Sequence, residues 1–321
     1  MSDNRVTIMG SYVADVAFRI DRLPTWGETR MGQSFQLGPG GKGSNQAVAA
    51  ARAGAPGSLN VSFISKLGPD PFGEIARTLY RDEGIDTQFI FSSPNPTGAA
   101  AILIDAAKGE NAIIVVPGAC FELTPAEVDQ ATTLIASSSI FVAQLELPLI
   151  TVEHGLRLAH THGVPTILNP APATTLPHSI YPLCDYLTPN ESEAAALTGI
   201  PVTDLASAEA AASSLLALGV RNVILTLGSQ GALIKTRTLT RHIPAVDAGP
   251  VVETTGAGDA FNGGLATALA EGMNLIEATQ FACVVAGISV TRPGTAPSMP
   301  HRLEIDAIRV SREAADKVRP A

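Results

Sequence analysis

Short apolar runs rich in β-branched residues alternate along this chain with longer stretches of helical spacing, and no other feature narrows the possible folds so far. Residues 6–9, 59–65, 140–145, 165–169, 185–188 and 222–226 read as strands. Between them, residues 44–53 (Ala-rich, stopped by Gly54 and Pro56), 149–162, 191–197 and 206–218 (ended by Gly219) read as helices, and helices dominate from Gly258 onward. Strands joined through helices run parallel, and a parallel sheet needs cover on both faces. The expectation is an α/β protein: a doubly wound, mostly parallel sheet flanked by helices.

Two segments break this rhythm, at about 12–38 and 97–118. Both read as extended pieces joined by turns, with residues 99–105 and 111–116 flanking a tight turn at 106–110, a hairpin signal without helices. The simplest arrangement is a small β-sheet standing off the main body and assembled from two insertions. Its apolar side needs cover from a ligand cleft or a partner subunit.

Composition excludes several classes. At 45% hydrophobic and 16% charged residues the chain is too apolar for disorder. Thirty acidic against 21 basic residues leave a net charge of −9, which makes nucleic acid a poor partner. The longest apolar stretches, such as residues 281–290, fall well short of the roughly 20 residues of a membrane span. Cys120, Cys184 and Cys283 are odd in number and widely spaced, which fits neither a disulfide framework nor a zinc ribbon. With no leader pattern at the N-terminus, a cytoplasmic home is expected.

The sharpest chemical signal is TTGAGDAFNGG at residues 254–264, followed by the helical run 265–270. Glycines before a helix let a ligand approach backbone amides that no intrahelical acceptor uses, and the helix dipole adds positive potential there. Asp259, at the mouth of that anion site, is placed to take the proton of an attacking hydroxyl in phosphoryl transfer. The alternative is that Asp259 only caps the helix. A second glycine-rich turn, GPGGKGSNQA at residues 38–47, satisfies GxGxxG, but the strand over 59–65 ends in Ser65-Lys66 without the acid a dinucleotide fold wants. It has no Walker A register either, since Gln36 holds the first glycine position and Gly43 follows Lys42. Lys42 and Asn45 remain as donors to a polar ligand. Asp15, Glu146, Asn190 and Glu193 follow strand ends, where open parallel sheets gather ligands.

Together these segments resemble the ribokinase-like (PfkB-type) carbohydrate kinases, over nearly the whole chain. Residues 40–51 look like the family's N-terminal signature and residues 255–263 like its C-terminal one. Gln144-Leu145-Glu146, the segment from Asn169 to Ala173, Thr188-Pro189-Asn190-Glu191 and the segment from Thr226 to Gly231 match between them in family order. Closeness is greatest to the branch that phosphorylates ribose.

The resemblance implies one kinase domain over 1–321 with a β lid, the lids of two subunits pairing into a homodimer. It implies a sugar held between lid and core by Asp15, Gly41, Lys42, Asn45 and Glu146, with Asp259 as the base for the 5-hydroxyl. The amides of Gly256, Ala257 and Gly258 would form the anion hole. ATP would run over Asn190, Thr226, Gly228, Gly231 and Gly258, with Cys283 near the adenine. Mg²⁺ would ride on the phosphates with Asn190 and Glu193 beyond its waters. A monovalent cation, K⁺, would sit at Glu253, Thr255, Ser289, Arg292, Gly294 and Ser298. Three positions depart from the family pattern: Val13 stands where Asn is usual, Glu253 where Asp is usual, and Cys283 replaces a His. A valine cannot pair a sugar hydroxyl, and burying one unpaired costs about 1–3 kcal/mol, so Val13 favours a sugar with fewer hydroxyls there, such as 2-deoxyribose. A water or Tyr12 compensating for the valine is the alternative. A non-catalytic sugar or nucleotide sensor would have no need of Asp259, and an NAD-dependent dehydrogenase rests on the loose GxGxxG alone.

Overall fold

The computed structural model describes residues 4–106 and 111–318. In chain order the first strands and helices are β1 (Asn4–Met9), β2 (Val13–Ile20), β3 (Ser34–Gly40), α1 (Lys42–Ala53), β4 (Leu59–Leu67), α2 (Pro71–Asp82), β5 (Ile90–Ser92), β6 (Thr97–Asp105) and β7 (Asn111–Gly118). The middle of the chain supplies α3 (Pro125–Gln130), α4 (Thr132–Ala136), β8 (Ile140–Ala143), α5 (Leu149–Thr161), β9 (Thr166–Leu168), β10 (Tyr186–Leu187), α6 (Glu191–Thr198), α7 (Leu205–Ala217) and β11 (Asn222–Thr226). The last part holds β12 (Ala232–Lys235), β13 (Thr240–Ile243), α8 (Ala257–Ala270), α9 (Leu275–Ser289) and α10 (Arg302–Val318).

Nine strands form the main sheet in the order β13-β12-β11-β10-β9-β8-β1-β4-β5. From β11 to β5 every pairing is parallel, as the strand–helix alternation requires. The strands β12 and β13 were not anticipated. Only a single 3-10 turn at Gly228–Gln230 separates β12 from β11, so the chain turns straight back and closes that edge antiparallel. Helix α2 also escaped the sequence reading, although Asp70 caps it through the amides of Phe72 and Gly73 and Pro71 opens it.

Apolar side chains pack on both faces of this sheet. One layer joins α1, α8 and α9 to Val6, Ile8 and Phe63; the other joins α3, α5 and α7 to Met9, Phe141 and Leu225. The contact of α1 with α8 is unusually close because its residues are small. A Cβ on Gly263 would stand 2.5 Å from Ala49 Cβ and 2.7 Å from the carbonyl oxygen of Gln46. A Cβ on Gly43 would stand 2.5 Å from Gly10 Cα, so the start of α1 is pressed onto the end of β1 as well.

The second sheet has the order β3-β2-β6-β7, with β2 and β6 parallel and both outer pairings antiparallel. Of the tight turn expected at 106–110, residues 107–110 lie outside the described residues. Register divides the residues of this sheet between two faces. Val13 and Asp15 share one. Phe18, Phe35, Leu37, Ile114 and Val116 share the other, and all five are exposed. Among the described residues, no helix is long and apolar enough to cross a membrane.

Candidate active site

The strand order reverses between β1 and β8, where ligands collect in open α/β sheets because the loops leaving neighbouring strands diverge. Gly10 and Ser11 leave β1 there, Gln144 and Glu146 leave β8, and the first turn of α1 crosses above them. Ser11 Oγ donates to Glu146 Oε2, and the same oxygen accepts from the Lys42 amide at 2.9 Å. Glu146 thereby ties the end of β1 to the start of α1.

Asp259 lies in the first turn of α8, 6% exposed. It does not cap its helix: the N-cap is Gly256, at a φ of +83° that favours glycine, and no side chain caps that end. The carboxylate instead faces α1. Asn45 Nδ2 donates to its Oδ2 at 3.0 Å and Gln46 Nε2 to its Oδ1 at 3.0 Å. Burial pushes Asp259 above the usual carboxylate range; Lys42 and the two amide donors pull it back.

The amides at this helix entrance are differently engaged. Ala257 donates to the Thr254 carbonyl at 3.2 Å, whereas those of Gly256, Gly258 and Asp259 meet no acceptor among the described residues. The free donors are therefore Gly256, Gly258 and Asp259, and Ala257, expected among them, is held by the turn that precedes it. The first turn of α8 offers an anion unsatisfied N–H groups with the helix dipole behind them.

Further charges surround this point. Asp15 rises to about 6, first through burial and then through repulsion from Glu146 and Asp259. Its carboxylate lies over Gly40, where a Cβ would come within 2.2 Å of Oδ2, so a side chain at that position would push the carboxylate aside. Burial alone would lower the Lys42 ammonium, yet Asp259, Glu146 and Glu193 hold it above its ordinary value. The Oδ1 of Asn45 is buried and meets no partner among the described residues, an acceptor left open for a ligand hydroxyl. The structure thus gathers Asp15, Lys42, Asn45, Glu146 and Asp259 in one place.

The residues expected at a nucleotide form an adjoining corner. Asn190 caps α6 in a reciprocal box with Glu193 and bridges to Thr226 at the end of β11. Gly228 and Gly231 then turn the chain at φ of +51° and +95°. At Gly231 a Cβ would strike the Ile243 carbonyl at 2.1 Å, so a side chain there would displace β13. Asn190 and Glu193 spend most of their polar atoms on each other. Burial raises the Glu193 carboxyl. Cys283 lies on α9, 5% exposed, in the apolar layer beneath α8.

The expected cation loop folds behind Gly256. Glu253 Oε2 accepts from the Gly294 amide at 2.8 Å, while Ser289 and Ser298 donate to the carbonyls of Ala286 and Thr295. The Arg292 guanidinium pairs with Glu304 and, being a cation, offers nothing to another cation. Thr255 is exposed. What this loop has for a cation is the second Glu253 oxygen and backbone carbonyls. Among the described residues no three His, Cys, Asp or Glu side chains are grouped to hold a metal. Thr295 joins the loop to its surroundings: Oγ1 donates to the Pro39 carbonyl at 3.0 Å, and its Cα lies 3.3 Å from where a Gly256 Cβ would be.

Sequence reasoning gave no site role to Gln46, Gln144, Asn169, Thr188, Asn262 and Thr295. The first three are buried polar side chains beside residues it did single out. A glutamine inside the Ala-rich start of α1 was the available signal, because a buried amide has to be paired. Nothing in the sequence marks Thr295.

A family model described as pfkB family carbohydrate kinase matches residues 3–302. Ribokinase of Haemophilus influenzae is 41% identical over 300 residues, covering 93% of this chain and 96% of that protein. Deoxyribokinase of Salmonella typhimurium is 36% identical over 296 residues, covering 92% and 95%. The structure of Arabidopsis thaliana ribokinase complexed with ribose and ATP superposes with a TM-score of 0.89 at 30% identity, covering 96% of this chain and 99% of that one.

Proposed function

The chain belongs to the pfkB family of carbohydrate kinases, and from that premise we propose that it moves the γ-phosphoryl of ATP to the primary 5-hydroxyl of a pentose, D-ribose or 2-deoxyribose. The observation that carries the reading is Asp259, a buried carboxylate fixed by two amide donors beside the unpartnered amides of its own first turn. An acceptor oxygen there meets a base on one side and an anion hole on the other.

In this reading Asp15, Asn45 and Glu146 orient the sugar, and Lys42 neutralises charge between sugar and phosphate. Asp259 takes the proton of the attacking hydroxyl. The amides of Gly256, Gly258 and Asp259 meet charge as it develops on the transferring phosphoryl. Asn190, Thr226, Gly228 and Gly231 border the nucleotide. Mg²⁺ bound with the nucleotide would neutralise charge on the phosphates, and Asn190 and Glu193 are the residues that would meet its water shell. A monovalent cation has carbonyls and one Glu253 oxygen to hold it. The small sheet acts as a lid over the sugar, and the apolar face turned away from Asp15 seats a second copy. Val13, on the same face as Asp15 and 4% exposed, supports 2-deoxyribose as the second reading, because an isopropyl group cannot pair a sugar hydroxyl.

The test is ADP release over a sugar panel with the chain and with Asp259→Asn. Ribose or 2-deoxyribose is expected to give the highest kcat/KM; a hexose in first place would remove the pentose reading. Asp259→Asn is expected to bind sugar and nucleotide by calorimetry while kcat falls about 10²–10⁴-fold. Turnover within a few-fold of the unaltered protein would remove the assignment of the base.

A further inference from the structure

We propose that Gln46, oriented by Asn169 and anchored through its oxygen by Gln144, is a positioning residue that holds Asp259 ionised and aimed at the acceptor hydroxyl. The inference rests on Asp259 being the base. Gln46 and Gln144 are both fully buried. One N–H of Gln46 goes to Asp259 Oδ1 at 3.0 Å and the other to Asn169 Oδ1 at 3.1 Å. Its own oxygen accepts from Gln144 Nε2 at 2.7 Å, so both N–H groups and the oxygen are engaged.

The direction of the chain of amides is set from outside the active site. Asn169 Nδ2 donates to the backbone carbonyl of Thr188 at 3.2 Å. A carbonyl accepts and never donates, so Asn169 has to turn its oxygen towards Gln46. Gln46 then has to turn its nitrogen towards Asn169 and Asp259, which leaves its oxygen for Gln144. Gln144 in turn fits only because Gly10 has no side chain: a Cβ there would lie 2.1 Å from Gln144 Oε1. A backbone acceptor two strands away thus decides that Asp259 faces a donor.

A donor to the charged form favours it. Without one, Asp259 keeps the protonating push of burial, with Lys42 from α1 and Asn45 as the remaining counterweights and Glu146 opposing them. Asp15 on β2 and Glu193 on α6 add further negative charge.

The experiment is the pH dependence of kcat at saturating sugar and nucleotide, for Gln46→Leu, Gln144→Leu and the unaltered protein. Folding of each variant is checked by urea titration. Gln46→Leu is expected to lower kcat about 10–100-fold at neutral pH, the loss of one bond to a charged group. Its acid limb moves to higher pH, and kcat recovers in part as the medium becomes alkaline. Gln144→Leu leaves the Gln46 oxygen buried without its donor, which loosens the amide against Asp259 without turning it round, and moves the limb the same way by a smaller amount. A purely structural role would lower kcat evenly and leave the limb in place. An unmoved limb in a folded variant overturns the proposal, and Gln144→Leu decides alone should Gln46→Leu not fold. If Asp259→Asn itself keeps turnover, the base assignment fails; if Asp259→Asn is inactive and the limb stays put, only the role of Gln46 fails.

Discussion

Asp15 carries a conflict between binding and folding. Its carboxyl titrates at about 6 in the folded chain against 3.8 ordinarily, because it is buried near Glu146 and Asp259. A group raised in this way holds its proton more tightly folded than unfolded. Its contribution to stability is full below the ordinary value and is lost as pH rises through about 6. Near neutrality the ionised side chain therefore opposes folding, although the proposed function asks it to hold a sugar. Asp15→Asn is expected to stabilise the free protein at pH 7.5 by about 1–3 kcal/mol in urea titrations, to lose that advantage near pH 4, and to abolish calorimetric sugar binding. A destabilised variant at pH 7.5 would show that the carboxylate is held by partners rather than strained. This conflict was invisible in the sequence. The chain order shows Asp15 after an apolar run, but only the folded sheet brings Glu146 and Asp259 near it from more than a hundred residues away.

Among the elements, the pairing of α1 with α8 is decisive, because Asn45 and Gln46 stand on one helix and the Asp259 carboxylate they hold on the other. Their closeness comes from volume: Ala49, Ala50 and Gly263 leave no room for a side chain. Gly263→Val would drive the helices apart, with an expected loss of about 1–3 kcal/mol of stability. The folded fraction is also expected to lose turnover at least tenfold, since Asn45 and Gln46 reach Asp259 only across that contact. A variant as unstable as expected but fully active per folded molecule would contradict the argument. At this scale the sequence was a good guide to α1, α8 and the parallel strands other than β5, whose apolar period and glycine stops are local properties. It was a poor one for β12 and β13, four residues each, whose antiparallel edge depends on the turn at Gly228–Gln230 and not on their own pattern.

For the whole molecule, the small sheet raises the question of what covers it. Phe18, Phe35, Leu37, Ile114 and Val116 form an exposed apolar face too large to be scattered surface residues. Two copies meeting through it would bury it in both. Light scattering is expected to give a dimer, and the double substitution Ile114→Lys with Val116→Lys a folded monomer; a monomeric parent protein would refute the pairing. Polar links tie the same sheet to the core at more than one place: the Thr295 hydroxyl donates to the carbonyl of Pro39, and at the start of β6 the Thr97 amide donates to Asp70 while the Thr97 hydroxyl accepts from the Gly68 amide. Since the Thr295 Cα also lies against Gly256, a shift of β3 is felt at the entrance of α8, and in the proposed reading filling either half of the cleft would change the work of filling the other.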